Sequence, residues 1–167
     1  MEPITAETTT QRPSRPPAPP PASSRAAGYD EDFCLWAEHQ AKLLREGALR
    51  QLDLPHLIEE VEDMGISQKH AIVNNLVVVV MHLLKYQFQP KRRSRSWRLS
   101  ILEHRRRIKR RIADSPSLLR YAGQQFDDVY KDARKEASVE TGLKLSRFPE
   151  QCPWTLEQVL DQEFLPK

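Results

Sequence analysis

Cysteine is scarce in this chain of 167 residues, which contains only Cys34 and Cys152. The two lie far apart in the sequence and have neither the spacing of a metal-binding motif nor that of a redox motif. We therefore expect reduced cysteines that pack as small apolar residues, with a disulfide between them as the alternative. The spacing argues against a zinc-binding module and against a disulfide-stapled scaffold.

Long apolar segments and targeting signals are also missing. The first residues, MEPITAETTT, have no basic region followed by an apolar core, so we expect no signal peptide. The most apolar run, residues 72–84, is short for a membrane span and is interrupted by Asn74, Asn75 and His82. No cofactor motif and no catalytic motif stands out. The sequence thus predicts a soluble, cytoplasmic protein without a membrane contact, a bound metal or a cofactor, and it assigns no enzymatic activity.

Proline is abundant, but it is concentrated at one end. Seven of the thirteen prolines precede Ala22, and six of them lie in residues 11–21, which contain no large apolar residue. Such a stretch cannot offset the entropy lost on ordering, so we expect residues 1–28 to form a disordered, polyproline-leaning tail. The remaining 29–167 are enough for a single α-helical domain with one core.

Helix-start and helix-stop signals predict three helices in the first part of that domain. The first covers 31–46 and ends at Gly47. The second begins after Asp53 and ends or bends at Gly65, and the third covers 68–88. The second helix is expected to bury one apolar stripe, formed by Leu54, Leu57, Ile58, Val61 and Met64.

The second part of the domain predicts three more helices. A basic helix begins at Ser94 or Ser96. Ser115 caps a fifth helix, which starts at Pro116 and runs to about Val139, where Gly142 can stop it, and Thr155 caps a short last helix. No stretch is a convincing strand. The predicted fold is therefore all-α: a compact bundle of five main helices with a short C-terminal helix.

The basic helix dominates the charge distribution. Residues 91–111 contain eleven lysines and arginines and one acid, Glu103, for a formal charge of about +10. The whole chain is only +3, so the other residues together carry about −7. Net charge is therefore strongly segregated along the chain.

Apolar residues recur along one side of this basic segment, at Trp97, Ile101, Ile108 and Ile112. At about 100° per residue they form a single stripe, which we expect to be buried. The cations off this stripe predict a polyanion site, most simply for the phosphates of RNA or DNA. The candidate residues are Arg95, Arg98, Arg105, Arg106, Lys109 and Arg110.

Two other interpretations of the basic helix remain open. Its arginines can pair with acids of the second helix, namely Glu59, Glu60, Glu62 and Asp63, or form an ordinary solvated face. Alternatively, the helix contacts an acidic protein or another copy of the chain. Whether such contacts give a dimer or a larger oligomer is not encoded in any motif.

Histidines supply a third hypothesis. His82 interrupts an apolar run, and we expect a buried imidazole hydrogen-bonded to Asn75, Tyr86 or an acid. Arg98 and His104 have the arginine, five residues, histidine spacing of HEPN-type helical ribonucleases, although Leu99 replaces the polar residue usual there. A hydrolase or nuclease that uses His82, His104 and the arginines is therefore an alternative to a binding module.

One further cluster combines a histidine with acids, formed by His56, Glu59, Glu60 and Asp63. Metal sites in helical bundles use inward-facing carboxylates and histidines. This cluster lies opposite the predicted apolar stripe, so a solvated face is the expected interpretation.

Several ordered segments resemble one bacterial family, known as domain of unknown function 29. They are YDEDFCLWAEHQAKLLREG, LDLPHLIEEVEDMG, HLLKYQFQP, RRSRSWR, DSPSLL, ETGL and FPEQCPWTLEQVLDQEFLP. The resemblance covers residues 29–166 and implies a helical domain in a bacterial cytoplasm. It supplies no established activity, and the proline-rich tail lies outside it.

Overall fold

The computed structural model of this protein describes residues 28–167, so residues 1–27 of the predicted tail lie outside the described residues. Within this range the protein is all-α and contains no strand. The α-helices are α1 (Phe33–Glu46), α2 (Leu54–Phe88), α3 (Arg95–Asp114), α4 (Ser117–Thr141) and α5 (Leu156–Leu160). The described chain divides into two compact units, residues 28–56 and residues 57–167.

The first unit is organised around Asp53. The indole Nε1 of Trp36 donates to the Asp53 carboxylate at 3.1 Å, and the Asp53 backbone N–H donates to Gln40 Oε1 at 2.9 Å. The same carboxylate lies 2.7 Å from Nδ1 of His56, whose ring stacks on Tyr29. These bonds fasten the start of α2 to one side of α1, which ends at Gly47 with a φ of 69° as predicted.

The two helices predicted on either side of Gly65 are one continuous helix of 35 residues. The expectation that a separate third helix covers residues 68–88 is wrong, and Gly65 does not end the second helix. A single glycine costs a helix only about 1 kcal/mol, and no proline follows to block the next turn. Gly65 keeps a negative φ, so the helix passes through it.

The C-terminal half of α2 is the centre of the core of the second unit. Ile72, Leu76 and Leu83 are completely buried, and Ile101 and Ile108 of α3 belong to the same apolar cluster. The prediction of an enclosed apolar helix is confirmed for this half of α2. Further members from α4 and the C-terminal segment are Ala122, Val129, Tyr130, Ala133, Phe148 and Val159.

The N-terminal half of α2 differs from the prediction. Leu54, Ile58, Val61 and Met64 were expected to face inward, but all four are exposed. The periodicity correctly indicates an amphipathic helix, but it cannot say whether another element covers the apolar side.

The remaining helix ends follow local sequence signals closely. Ser94 caps α3 by accepting from the backbone N–H of Trp97, and Gly142 ends α4 with a φ of 70°. The residue before α4 is Pro116 rather than Ser115, one position later than predicted. Thr155 forms the predicted capping box of α5.

Among the described helices, α2 alone is long and apolar enough to cross a membrane by length and composition. Half of its most apolar window is buried inside the protein. The buried core helix of a soluble protein has the same two properties.

Candidate polyanion-binding face

The buried side of α3 is formed by the predicted isoleucines. Ile101 and Ile108 are fully buried, whereas Ile112 is half-buried. Trp97 was expected to be buried and is only half-buried. The ammonium group of Lys85 lies 4.7 Å from the centroid of its ring, so a cation–π contact occupies one face of the indole.

The opposite side of α3 displays cations. Five of the predicted residues are exposed and, at about 100° per residue, lie within a sector of about 120°. They are Arg95, Arg98, Arg106, Lys109 and Arg110. Leu99 and Leu102 lie between them and are 65% and 43% exposed. We call this sector the basic face.

The basic face is not neutralised by Glu59, Glu62 or Asp63 of α2. Within residues 28–167, no ion pair joins an arginine of α3 to Glu59, Glu62 or Asp63. The ion pairs of α3 are local, because Glu103 pairs with Arg106 at 2.7 Å and with Arg107 at 2.9 Å. The hydrogen bond from Arg107 is the main cause of the lowered pKa of Glu103.

Arg105 does not belong to the basic face, and its predicted exposure is wrong. Its side chain is 1% exposed and donates from Nε to the carbonyl of Val159 at 2.7 Å and from Nη1 to that of Phe164 at 3.0 Å. Burial lowers its pKa to about 10. Arg105 lies about 40° from Ile101 around the helix, so it faces the C-terminal segment and anchors it.

His82 does not form the predicted hydrogen bond. Its ring is half-buried, and Nδ1 has no partner among residues 28–167. Asn75, the expected partner, instead accepts from the ring N–H of His104 at 2.7 Å. Its amide nitrogen donates back to the carbonyl of Ala71, which holds the side chain toward α3.

The surroundings of His82 favour its neutral form. Desolvation by burial and the neighbouring Lys85 lower its pKa to about 4, with His104 adding to the effect and Glu140 opposing it. Lys85 itself is buried and forms an ion pair with Glu140 of α4. Sequence reasoning missed this pair, whose only signal is a lysine within an apolar run.

The geometry does not bring together the two residues of the ribonuclease-like spacing. Arg98 and His104 point about 120° apart on α3, with Arg98 in solvent and His104 bonded to Asn75. Burial and the positive charge of Arg107 lower the pKa of His104. A hydrolytic site would need both side chains on one bound phosphate.

A separate cavity of about 570 Å³ lies beside α4 and is lined by Tyr130, Cys152 and Trp154. Burial raises the pKa of the Cys152 thiol, which is a poor setting for a nucleophile. The Tyr130 hydroxyl donates to the carbonyl of Pro149. These groups therefore support the loop before α5 rather than forming a reactive centre. Cys34 and Cys152 are both free thiols.

No group of three or more histidines, cysteines or acids in the described chain is arranged to hold a metal ion. In the cluster considered from the sequence, the His56 ring is held by Asp53 and Tyr29.

Comparison with known proteins identifies a family. No curated protein and no solved structure matches the chain. The model of one family covers nearly all of the described residues, from 29 to 165. The chain therefore belongs to the family described as domain of unknown function DUF29.

Proposed function

We propose that the chain is a non-catalytic, cytoplasmic binding module whose basic face engages the phosphate backbone of a nucleic acid. The observation that carries this proposal is the exposure of Arg95, Arg98, Arg106, Lys109 and Arg110 on one side of α3. Arginines and lysines on phosphates gain free energy by releasing condensed counterions.

The dimensions of the basic face suit a polyanion. From Arg95 to Arg110 it extends about 22 Å along α3, at about 1.5 Å per residue. An α-helix fits the major groove of B-DNA, which is about 12 Å wide. Supported by the core beneath Ile101 and Ile108, α3 presents these charges on a rigid element.

The chemistry of the face favours phosphate contacts over the recognition of bases. Its other exposed residues are Leu99, Leu102 and Ala113, which offer no amide or hydroxyl group to a base edge. We therefore propose binding with little sequence preference and a steep dependence on salt.

The test is fluorescence anisotropy with labelled single-stranded RNA and duplex DNA over a range of salt concentrations. The test variant replaces Arg95, Arg106 and Arg110 with Gln, and a matched control replaces Arg50, Lys144 and Arg147. If each arginine contacts one phosphate, the slope of log K against log salt should flatten by about 2 on single strands and by about 3 on duplex DNA. The control should keep the slope of the unaltered protein.

Two results would overturn the proposal. One is no binding to either nucleic acid at about 20 mM salt, where phosphate contacts are strongest. The other is binding whose salt slope is the same in the test variant and in the unaltered protein, with both folded by circular dichroism.

A protein-interaction module is the second candidate, and the exposure of Leu99 and Leu102 favours it. Two leucines in the middle of a nucleic-acid site gain nothing from phosphates, whereas apolar side chains surrounded by cations suit an amphipathic acidic helix.

A further inference from the structure

One segment of the second unit combines an apolar stripe with acids. Residues 61–70 are all exposed, and Ile58, Val61 and Met64 are 57%, 62% and 60% exposed. Between residues 51 and 68 the chain has no lysine or arginine, while Glu59 and Glu62 flank the stripe. We call residues 57–66 the acidic arm.

The apolar stripe of the acidic arm continues a buried face. At about 100° per residue, Ile58, Val61 and Gly65 lie within about 40° of the direction of Ile72, which is completely buried. The helix thus presents the same side to the core at one end and to solvent at the other. Exposed apolar stripes rimmed by charge are typical of interaction sites.

The second unit also contains a groove with the opposite charge. Two adjoining cavities, of about 220 Å³ and 290 Å³, share Arg105 and Gln162 and lie along α3 beside the C-terminal segment. Their walls include Leu102 and Leu119, which are both partly exposed. We call this depression the α3 groove.

The rim of the α3 groove is basic. Arg98 and Lys109 line its two cavities, and Arg95 and Arg106 lie on the adjoining basic face. One acid, Glu163, also lines the groove, while the Arg105 guanidinium is engaged by backbone carbonyls. The groove therefore offers apolar walls with a net positive edge.

We propose that the acidic arm docks into the α3 groove of a second copy of this chain. Ile58 and Val61 would enter between Leu102 and Leu119, while Glu59 and Glu62 meet the basic rim. The arm is about 14 Å long, and the distance along α3 from Arg98 to Lys109 is about 17 Å. The lengths therefore match, as do the apolar surfaces and the signs of charge.

The continuity of α2 makes this contact intermolecular. The helix is unbroken through Gly65, and its residues 72–84 are fixed in the core. The acidic arm therefore cannot bend back into the groove of its own chain. In a two-fold dimer each copy supplies one arm and one groove, which closes the assembly.

The dimer does not rest on the proposed nucleic-acid function. Docking uses Arg98 and Lys109, whereas the test of nucleic-acid binding alters Arg95, Arg106 and Arg110. Each test can therefore contradict its own proposal without affecting the other proposal. If both hold, the arm covers part of the basic face, and nucleic acid and dimer compete.

The test is a charge exchange on the full chain, read by sedimentation-velocity ultracentrifugation. One variant carries Glu59→Lys and Glu62→Lys, and the other carries Arg98→Glu and Lys109→Glu. Each variant alone places like charges in both arm–groove contacts, so each should dissociate at least tenfold more readily than the unaltered dimer. An equimolar mixture restores opposite charges in both contacts and should recover the dimer.

Controls separate the specific contact from general charge effects. Glu136→Lys with Glu150→Lys, and Lys144→Glu with Arg147→Glu, reverse the same charges at exposed positions outside the arm and groove. Both control variants should remain dimeric. All variants should give the helical circular dichroism of the unaltered chain.

Three results would overturn the proposal. The unaltered chain could sediment as a monomer at every concentration tested, or the two folded variants could fail to associate when mixed. The third is a monomeric chain that co-sediments with phosphatidylcholine vesicles and loses this property with Ile58→Asp, which would assign the stripe to a lipid surface.

Discussion

Ile58 and Ile72 lie on the same helix and on nearly the same side of it, yet one is 57% exposed and the other is completely buried. The surrounding patterns are similar, with apolar residues returning every three or four positions. The difference is what lies opposite each half. Residues 72–84 meet α3, α4 and the C-terminal segment, whereas most of residues 57–66 are exposed to solvent. Amphipathic periodicity therefore indicates that a helix has an apolar face, but not whether another element of the same chain covers that face.

The largest expected effect on stability comes from replacing isoleucine with alanine in each half of α2. Ile72→Ala should lower the free energy of unfolding by about 4 kcal/mol, because it removes buried methyl groups and leaves a cavity. Ile58→Ala should change it by less than about 0.5 kcal/mol in the monomer, since its side chain is already in water. Urea denaturation measures both changes, at a protein concentration too low for a dimer to form.

Equal losses at the two positions would contradict the comparison, because the acidic arm would then be covered within its own chain. A loss for Ile58→Ala that grows with protein concentration would instead agree with docking into a second copy.

The second effect is a dependence of stability on pH, and it comes from His82 in the buried half of α2. The pKa of His82 in the folded protein is about 4, below the ordinary value of 6.5. As the pH falls from 6.5 to about 4, His82 binds a proton in the unfolded chain but stays neutral in the folded protein. The free energy of unfolding therefore decreases over this range. His82 alone should lower the free energy of unfolding by about 1–2 kcal/mol between pH 7 and pH 4, because solvent reaches part of the ring and reduces the full effect of the shift.

Unfolding free energies of the unaltered chain and of His82→Gln at several pH values isolate this contribution. His82→Gln should lose about 1–2 kcal/mol less than the unaltered chain over the same range. Parallel curves for the two proteins would show that the folded protein binds a proton at His82 as readily as the unfolded chain does.

Local signals explain which parts of the fold were predictable from the sequence. Gly47, Gly142, Ser94 and the capping box of Thr155 act within one turn of their own helix, so short patterns indicate them correctly. The buried run of α2 was predictable for a similar reason, because it is apolar all round and has no stable exposed alternative.

Long-range contacts explain what the sequence did not reveal. Arg105 lies at the edge of an apolar stripe, and only the carbonyls of Val159 and Phe164, more than fifty residues away, decide that it is buried. The sequence predicted a hydrogen bond between Asn75 and His82. Because α3 packs on α2, the side chain of Asn75 instead accepts a hydrogen bond from His104. The sequence therefore predicted that the candidate site is a charged surface, but it did not predict which residues form that surface.

The smallest expected effect is a change in stability at Gly65. It tests whether α2 is one continuous helix, and the comparison of its two halves depends on that. Gly65 is helical, and an added Cβ would meet no atom within 4 Å. Gly65→Ala should therefore stabilise the monomer by about 0.5–1 kcal/mol, because alanine loses less conformational entropy than glycine in a helix interior. Gly47→Ala is the matched control and should destabilise by about 1 kcal/mol, since its φ of 69° strains any residue with a Cβ. Thermal unfolding with circular dichroism resolves the two signs. If Gly65→Ala destabilised the protein as Gly47→Ala does, Gly65 would have to end one helix before another begins, and the arm would be free to fold back into the groove of its own chain.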